Sequence, residues 1–536
     1  MRTQEDMQNK KKRTVKIFQY SMLGLAALSS QFFHAQTAHL DSITISSVEK
    51  NIRINDPYIS FFQPLDFSQT SFQYSNVKQN FKRVQTPEET GSFTFQSQGV
   101  YQLNDKIALS GKLQADKTNE ENVPYILNDE RTTNSSFIYN PSYYWAPRSG
   151  RWQKQSYFIN GQLAYNPIKP VIIQIGGEGK YAKSYRQNAD PRPKVDNYQY
   201  RAFAKLGLKW RQHSVFGKLS YVNNYKNNDI LFVSPGGNVP ANDSIYIRYN
   251  EGYGNQYIGN TQFRTSEYKM GGYIWGGEYA FNNKNTHFSA GYDYKNVIER
   301  FYKVFEYQDA KFIWHRDYVK YSGLKTDLHS FYMNFLGNYN GKKWASSVTY
   351  QDQLDTNYNY PLEYRTYRLA QQNFTWQNSV TWFNHRNEAF KVLFDADYGS
   401  NHVRDLSVVM DRKLSFFNYR LGAQKEFAIM PSHKLSVGIT QSLYIPLKKE
   451  FDYQPYQSSK ENIFVTKIAQ PDFAYDSTPK FGMNFNASYL FDKNKIRYEL
   501  FGSFTQIWLM NGTYKNAADY NGRANQIASV GLNVYY

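Results

Sequence analysis

Nine histidines, no cysteine and a row of cations are the residues of this 536-residue chain that could do chemistry. Without cysteine there is no disulfide framework, no thiolate zinc site, no thiol nucleophile and no lipid-modified cysteine. The histidines never pair at metal-ligand spacing. His213, His385 and His433 fall in or near short polar turns, His287 and His329 at strand starts, and His315 and His402 in loops. No HExxH helix, GxSxG elbow, phosphate-binding glycine loop or GxGxxG fingerprint occurs. Neither catalysis nor a cofactor is expected. A surface hydrolase remains a rival reading only if a carboxylate cluster or a Ser-His pair assembles in three dimensions.

Two other groups of residues could recognise a ligand. Lys112, Lys180, Arg201, Lys205, Lys209 and Lys218 occupy the polar positions of neighbouring alternating segments. Lining a wet channel, such a strip favours anionic or carboxylate-bearing solutes; the competing reading pairs it with Glu178, Glu426, Glu499 or a folded-in loop. The segment 134–152 carries Phe137, Tyr139, Tyr143, Tyr144 and Trp145 among Pro141 and Pro147. These rings could stack on a sugar or peptide, or pack on one another as a loop core.

The elements that would position these residues are strands. From residue 90 onward the chain alternates apolar and polar residues with period two, in pairs joined by tight polar turns. Tyr157, Ile159, Leu163 and Tyr165 lead through Pro167 and Pro170 to Val171, Ile173 and Ile175; Phe331 to Tyr339 turn at Asn340-Gly341 toward Trp344, Val348 and Tyr350. Between pairs lie long polar connections, roughly 116–155, 222–266, 295–328, 351–372, 445–479 and 506–524, so that short and long links alternate. A transmembrane β-barrel with short periplasmic turns and long extracellular loops requires that pattern, and a soluble sandwich does not. The expected fold is an all-β, antiparallel transmembrane barrel of about 16–18 strands, its first strand within Gln69–Val77. Tyr101, Tyr165, Trp210, Tyr279, Tyr339, Trp344 and Trp382 sit where strands meet short turns, as an interfacial girdle would.

Composition agrees. The formal charge of +18 is spread along the chain and interleaved with acids, unlike a nucleic-acid-binding stripe, and 48 tyrosines suit membrane interfaces. Lys10 to Lys16 precede the apolar run Ile17–Leu28 and a cut expected after Ala35. The run is too short to span a bilayer, which takes about 20 apolar residues. The expected organisation is an export signal over 1–35, a periplasmic lead-in over 36–68 and the barrel over 69–536.

The chain ends Ser529-Val530-Gly531-Leu532-Asn533-Val534-Tyr535-Tyr536, which resembles the C-terminal signal of outer-membrane barrels. The resemblance implies recognition by the barrel-assembly machinery, with Ser529, Gly531, Val534 and Tyr536 at the matching positions. Taken whole, the Ala-Gln leader end and the Tyr- and Asn-rich barrel look like an uncharacterised group of Bacteroidota outer-membrane barrels. That likeness implies an outer-membrane location and an accessory or porin-like role in nutrient uptake, beside a TonB-dependent receptor and a surface lipoprotein. The chain itself is too short before its first clear hairpin to hold the plug domain of the transporters with about 22 strands. A loop-plugged barrel that binds a partner or surface ligand is the alternative, separated from a porin by whether its lumen is open.

Overall fold

The computed structural model describes residues 45–127, 141–187, 190–232, 246–259, 265–309, 312–361, 363–384, 388–430, 432–455, 462–493, 496–510 and 524–536. The export segment, Tyr139 and His385 lie outside these residues, as does the side chain of Tyr143.

Period-two alternation becomes strand throughout. In order come β1 (Phe67–Lys78), β2 (Glu89–Asn104), β3 (Ile107–Val123), a short β4 (Ser142–Trp145), β5 (Gly150–Ile168), β6 (Val171–Gln187), β7 (Arg192–Trp210) and β8 (His213–Leu231). Two more short strands, β9 (Ile247–Glu251) and β10 (Asn255–Gly259), precede β11 (Thr265–Asn282), β12 (Thr286–Gln308), β13 (Trp314–Tyr339) and β14 (Lys342–Asn359). The chain finishes with β15 (Tyr367–Phe383), β16 (Ala389–Asp405), β17 (Val409–Met430), β18 (His433–Gln454), β19 (Lys480–Lys493), β20 (Ile496–Leu509) and β21 (Asn525–Tyr535).

Eighteen of these strands form one antiparallel sheet, and β21 pairs with both β20 and β1, so the sheet closes into a barrel without an edge. The strand count is the upper end of the expected range, and β1 covers the segment expected for it. β4, β9 and β10 form a separate three-stranded sheet. Closure satisfies every ladder hydrogen bond within the wall, which is the condition for surrounding a sheet with hydrocarbon.

The outer wall is apolar. Leu206, Leu208, Leu219 and Trp275 are each more than half exposed, and comparable side chains continue around the barrel. This band is about 10 residues tall on each strand, or about 25 Å along the axis once strand tilt is included. Tyr165, Trp210, Tyr279 and Trp344 ring it at the end with short turns, as expected. At the other end Tyr157, Tyr181, Tyr198 and Tyr225 stand side by side on four neighbouring strands, ring centroids 6.3, 4.8 and 6.2 Å apart.

Two of the expected long links are largely strand. Across 295–328 β12 and β13 continue as a hairpin to Gln308 and Trp314, with one register shift at Phe301/Tyr302, and β14 runs on to Asn359. Polar residues there ended the apolar alternation without ending the backbone pairing, because a ladder beyond the lipid needs no apolar face. His315 and His402, expected in loops, accordingly sit in β13 and β16.

The part of the lead-in that the structure describes is not outside the barrel. α1 (Ser47–Asn55) and a 3-10 turn over Pro57–Phe61 lie within it at the short-turn end. Ser46 caps α1 by accepting from the Glu49 N–H at 3.1 Å, and Pro57 opens the turn where no donor is lost.

A charge placed on the apolar band tests the wall's assignment to lipid. Leu219→Arg is expected to lower the unfolding free energy by about 2–4 kcal/mol in phospholipid vesicles, read from urea unfolding. A loss within experimental error would deny the band contact with hydrocarbon.

Candidate functional site: the occupied lumen

The site is built where the N-terminal segment meets the inner wall. Next to the short turns, inward positions hold Ala108, Ala164, Ile172, Phe216, Ala280, Leu336 and Ala345, buried together with Val48, Ile52, Tyr58 and Ile59 of the segment. A water-filled lumen would carry polar residues there. Gly207 leaves the room that the Phe216 ring fills, since a Cβ at that position would come within 2.3 Å of it. Backbone groups of the segment are satisfied by the wall: Ser110 Oγ donates to the Ile54 carbonyl at 2.6 Å, and Gln174 Nε2 to that of Asn55 at 2.9 Å.

At the centre is one ammonium between two carboxylates. Lys205 Nζ on β7 donates to Asp56 Oδ1 at 2.8 Å and to Glu278 Oε1 on β11 at 2.5 Å, and all three groups are buried. Tyr58 OH donates to Glu278 Oε1 at 3.1 Å and Tyr332 OH to Oε2 at 2.5 Å; Lys218 Nζ reaches Tyr332 OH at 2.8 Å and Asp293 Oδ1 at 2.8 Å. The Lys205 ammonium also stands over the rings of Tyr58 and Phe216, at 4.7 and 4.4 Å. The segment is thus tied into its wall by charge as well as by apolar burial, and it acts as a plug.

The structure divides the expected basic strip. All six cations face inward, but Lys205 is bound to the plug, Lys209 lies 4.1 Å from the centroid of the Phe62 ring, and Lys218 is paired with Asp293. Lys112, Lys180 and Arg201 make no ion pair among the described residues; Arg201 donates to Ser220 Oγ at 3.2 Å. Of the acids proposed as partners, Glu426 is taken by Lys434 at 2.6 Å, and Glu499 by Asn533 and Tyr535 OH at 2.7 and 2.6 Å. The actual partners, Asp56 and Glu278, were missed. The inward alanines beside the turns were the available signal.

The opposite end is filled as well. The β4, β9 and β10 sheet sits inside the mouth, where Tyr144, Tyr249 and Ile247 are buried against Tyr268 and Phe301 of the wall. Trp145 packs with Phe464, Val465 and Ile468, which come from a π-helical turn over Val465–Ala469 ahead of α2 (Gln470–Asp476). These meet the inward residues Tyr367, Leu369, Val403 and Met410. The aromatic platform is thereby corrected for the two side chains that are described: Tyr144 and Trp145 are fully buried, with Trp145 Nε1 donating to Asn250 Oδ1 at 2.9 Å. They are core of the cap and cannot meet a ligand from outside.

No group of three metal-ligating side chains occurs among the described residues. His315 and His402 bond carboxylates, Asp309 at 2.7 Å and Asp411 at 2.9 Å, and no described histidine bonds a serine or threonine hydroxyl. The C-terminal strand closes the barrel: Tyr536 OH lies 2.6 Å from Thr70 Oγ1, and Gly531 makes room for the Phe501 ring.

Residues 58–536 match the model described as "Family of unknown function (DUF6850)", and the chain belongs to that family. No curated protein matches it in sequence. Among solved structures it is similar to the ferric preacinetobactin receptor BauA of Acinetobacter baumannii at 8% identity, covering 88% of this chain and 80% of that one, with a TM-score of 0.38. It is also similar to the outer-membrane transporter YddB of Escherichia coli at 6% identity, 88% and 81% coverage and a TM-score of 0.39. The closed form of the ferric-catecholate import receptor Fiu of E. coli K12 gives 8% identity, 88% and 82% coverage and a TM-score of 0.40. The strand pairing above, and not these overlaps, defines the fold.

Two expectations follow from the plug. Asp56→Ala leaves the Lys205 ammonium with half its counter-charge and is expected to cost about 3–5 kcal/mol of plug docking, seen as protease cleavage within 45–66 while the barrel stays intact. Burial, aided by Lys391, lowers the Lys50 ammonium of α1 to about 8. Between about pH 8 and the ordinary lysine value the folded protein therefore binds fewer protons than the unfolded chain, so stability rises with pH across that window. Lys50→Met is expected to flatten that rise in melting temperature, and an unchanged profile would place the effect elsewhere.

Proposed function

We propose that this DUF6850 protein is an outer-membrane barrel that works in nutrient uptake as a plugged accessory barrel and not as an open porin. The observation that carries the reading is the double occupancy of the lumen, by residues 45–66 at the short-turn end and by the β4, β9 and β10 sheet with the π-helical turn at the other. A porin needs a continuous wet path. Short turns on one rim and long links on the other support a periplasmic turn end and an extracellular loop end. The plug then sits at the periplasmic side and the cap at the cell surface.

The accessory role draws on the sequence resemblance to barrels found beside a TonB-dependent receptor and a surface lipoprotein. The cap is the surface such a lipoprotein would meet first. The final strand, with Ser529, Gly531, Val534 and Tyr536, is the segment the assembly machinery would read. A hydrolase has no histidine paired with a serine or threonine hydroxyl among the described residues to start from; the hydroxyls that His213, His329 and His433 meet are those of Tyr279, Tyr292 and Tyr489.

Planar-bilayer recording of the refolded mature chain tests this. Silence is expected, and a steady ohmic current from the wild-type protein would restore the porin reading. If removal of the plug opens a path, that current is expected to prefer anions, because Lys112, Lys180 and Arg201 then line it and make no ion pair among the described residues.

A further inference from the structure

Above the tyrosine ladder of the outer wall lies a cleft of about 450 Å³, lined in part by Gln155, Lys183, Tyr185, Arg186, Arg192 and Lys194. Among the described residues four cations line it and no acid does. The neighbouring carboxylates cancel only part of that charge. Asp190 pairs with Arg192 at 2.9 Å and Asp196 with Lys194 at 3.6 Å, and Asp196 also accepts from Tyr181 OH at 3.0 Å. Lys183 makes no ion pair among the described residues.

Arg186 is the unusual member. It is 2% exposed, and its Nη2 donates to the carbonyls of Arg148 and Ser149 at 2.7 and 3.2 Å. Its Nε and Nη1 are buried without a hydrogen-bond partner, and it makes no ion pair among the described residues, Asp190 acting on it only through space. A buried guanidinium with two unused donors, in a lining of one sign, is a costly arrangement for the protein alone and a favourable one once an oxyanion arrives.

Depth identifies the anion. Tyr181 pairs with Tyr157 and Tyr198 across the wall, and Lys183, two residues further toward the loop end, pairs with Gln155 and Asp196. Two residues of strand rise about 7 Å. Tyrosine girdles mark the headgroup level, so the outward Lys183 stands where headgroup phosphates begin and the outward Lys194, four residues beyond Tyr198, lies one step further out. We propose that this cleft binds a phosphate group borne by an outer-leaflet glycolipid, with Lys183 and Lys194 reaching it from the wall and Arg186 and Arg192 from the rim. The proposal rests on the outer-membrane reading.

The test uses the full mature barrel in nanodiscs containing either diphosphoryl lipid A or the same lipid stripped of its phosphates, with inorganic phosphate as competitor. Lys183→Gln with Lys194→Gln changes only outward side chains, and Arg186→Gln is the buried companion; heat-modifiable gel mobility reports folding of each. The wild type is expected to retain the phosphorylated lipid about tenfold better than the stripped one, and the double variant to lose that preference. Millimolar inorganic phosphate should leave the lipid bound. Equal retention of the two lipids, a preference unchanged in the double variant, or displacement by inorganic phosphate at low concentration would each overturn the site. A heat-modifiable barrel without the preference counts against the cleft alone, whereas a chain soluble without detergent counts against the membrane reading beneath it.

Discussion

An ammonium withdrawn from water must find its charge balanced within hydrogen-bonding distance, and Lys205 finds it in Asp56 of the plug and Glu278 of the wall. Much of the inner architecture follows from meeting that requirement. Removing Asp56 would leave a desolvated cation short of charge, so the N-terminal segment cannot leave its seat without a large cost. The apolar seat around it, from Val48 and Ile52 to Ala280 and Ala345, excludes the water that would otherwise soften the pair. Tyr58 and Tyr332 spend their hydroxyls on Glu278, and Lys218 extends the network to Asp293. Charge specifies the position of the plug and apolar contact holds it there.

The outer wall answers to a different constraint. Facing hydrocarbon, it can be apolar at nearly every outward position only because β21 returns to β1 and leaves no unpaired edge. Each strand therefore carries two messages in one alternation, lipid outward and a graded interior inward. The interior is apolar at both ends, where chain segments pack, and more polar between them, where Lys112, Lys180 and Arg201 lie.

The outward message was legible in the sequence and most of the inward one was not. Alternation, Asn340-Gly341 and the turn-end aromatics announced strands, hairpins and rim. The Asp56–Lys205 pair joins residues far apart along the chain, and no local pattern announces such a meeting. What a closer reading could have used is the inward face beside the turns, where Ala108, Ala164, Ile172 and Phe216 stand in place of polar residues. The stretch 295–328 reads as a loop because polar residues end its apolar alternation, although strand pairing in water survives that change. Tyr144 and Trp145 illustrate the remaining difficulty: aromatic residues in a polar loop have the composition of a binding platform and of a buried cap alike, and only tertiary packing separates the two.

Because the chain has no cysteine, a single introduced thiol can report directly on whether the lumen is plugged. The decisive measurement is the rate at which a small impermeant maleimide labels Lys112→Cys, just above the plug, against Lys106→Cys in the exposed β2–β3 turn, in vesicles that expose the turn end to reagent. Labelling of the lumen thiol is predicted to be slow beside the turn thiol and to accelerate when Asp56→Ala is added. Equal rates in the otherwise unaltered barrel would contradict the account, since they would mean that water and solute already pass the plug.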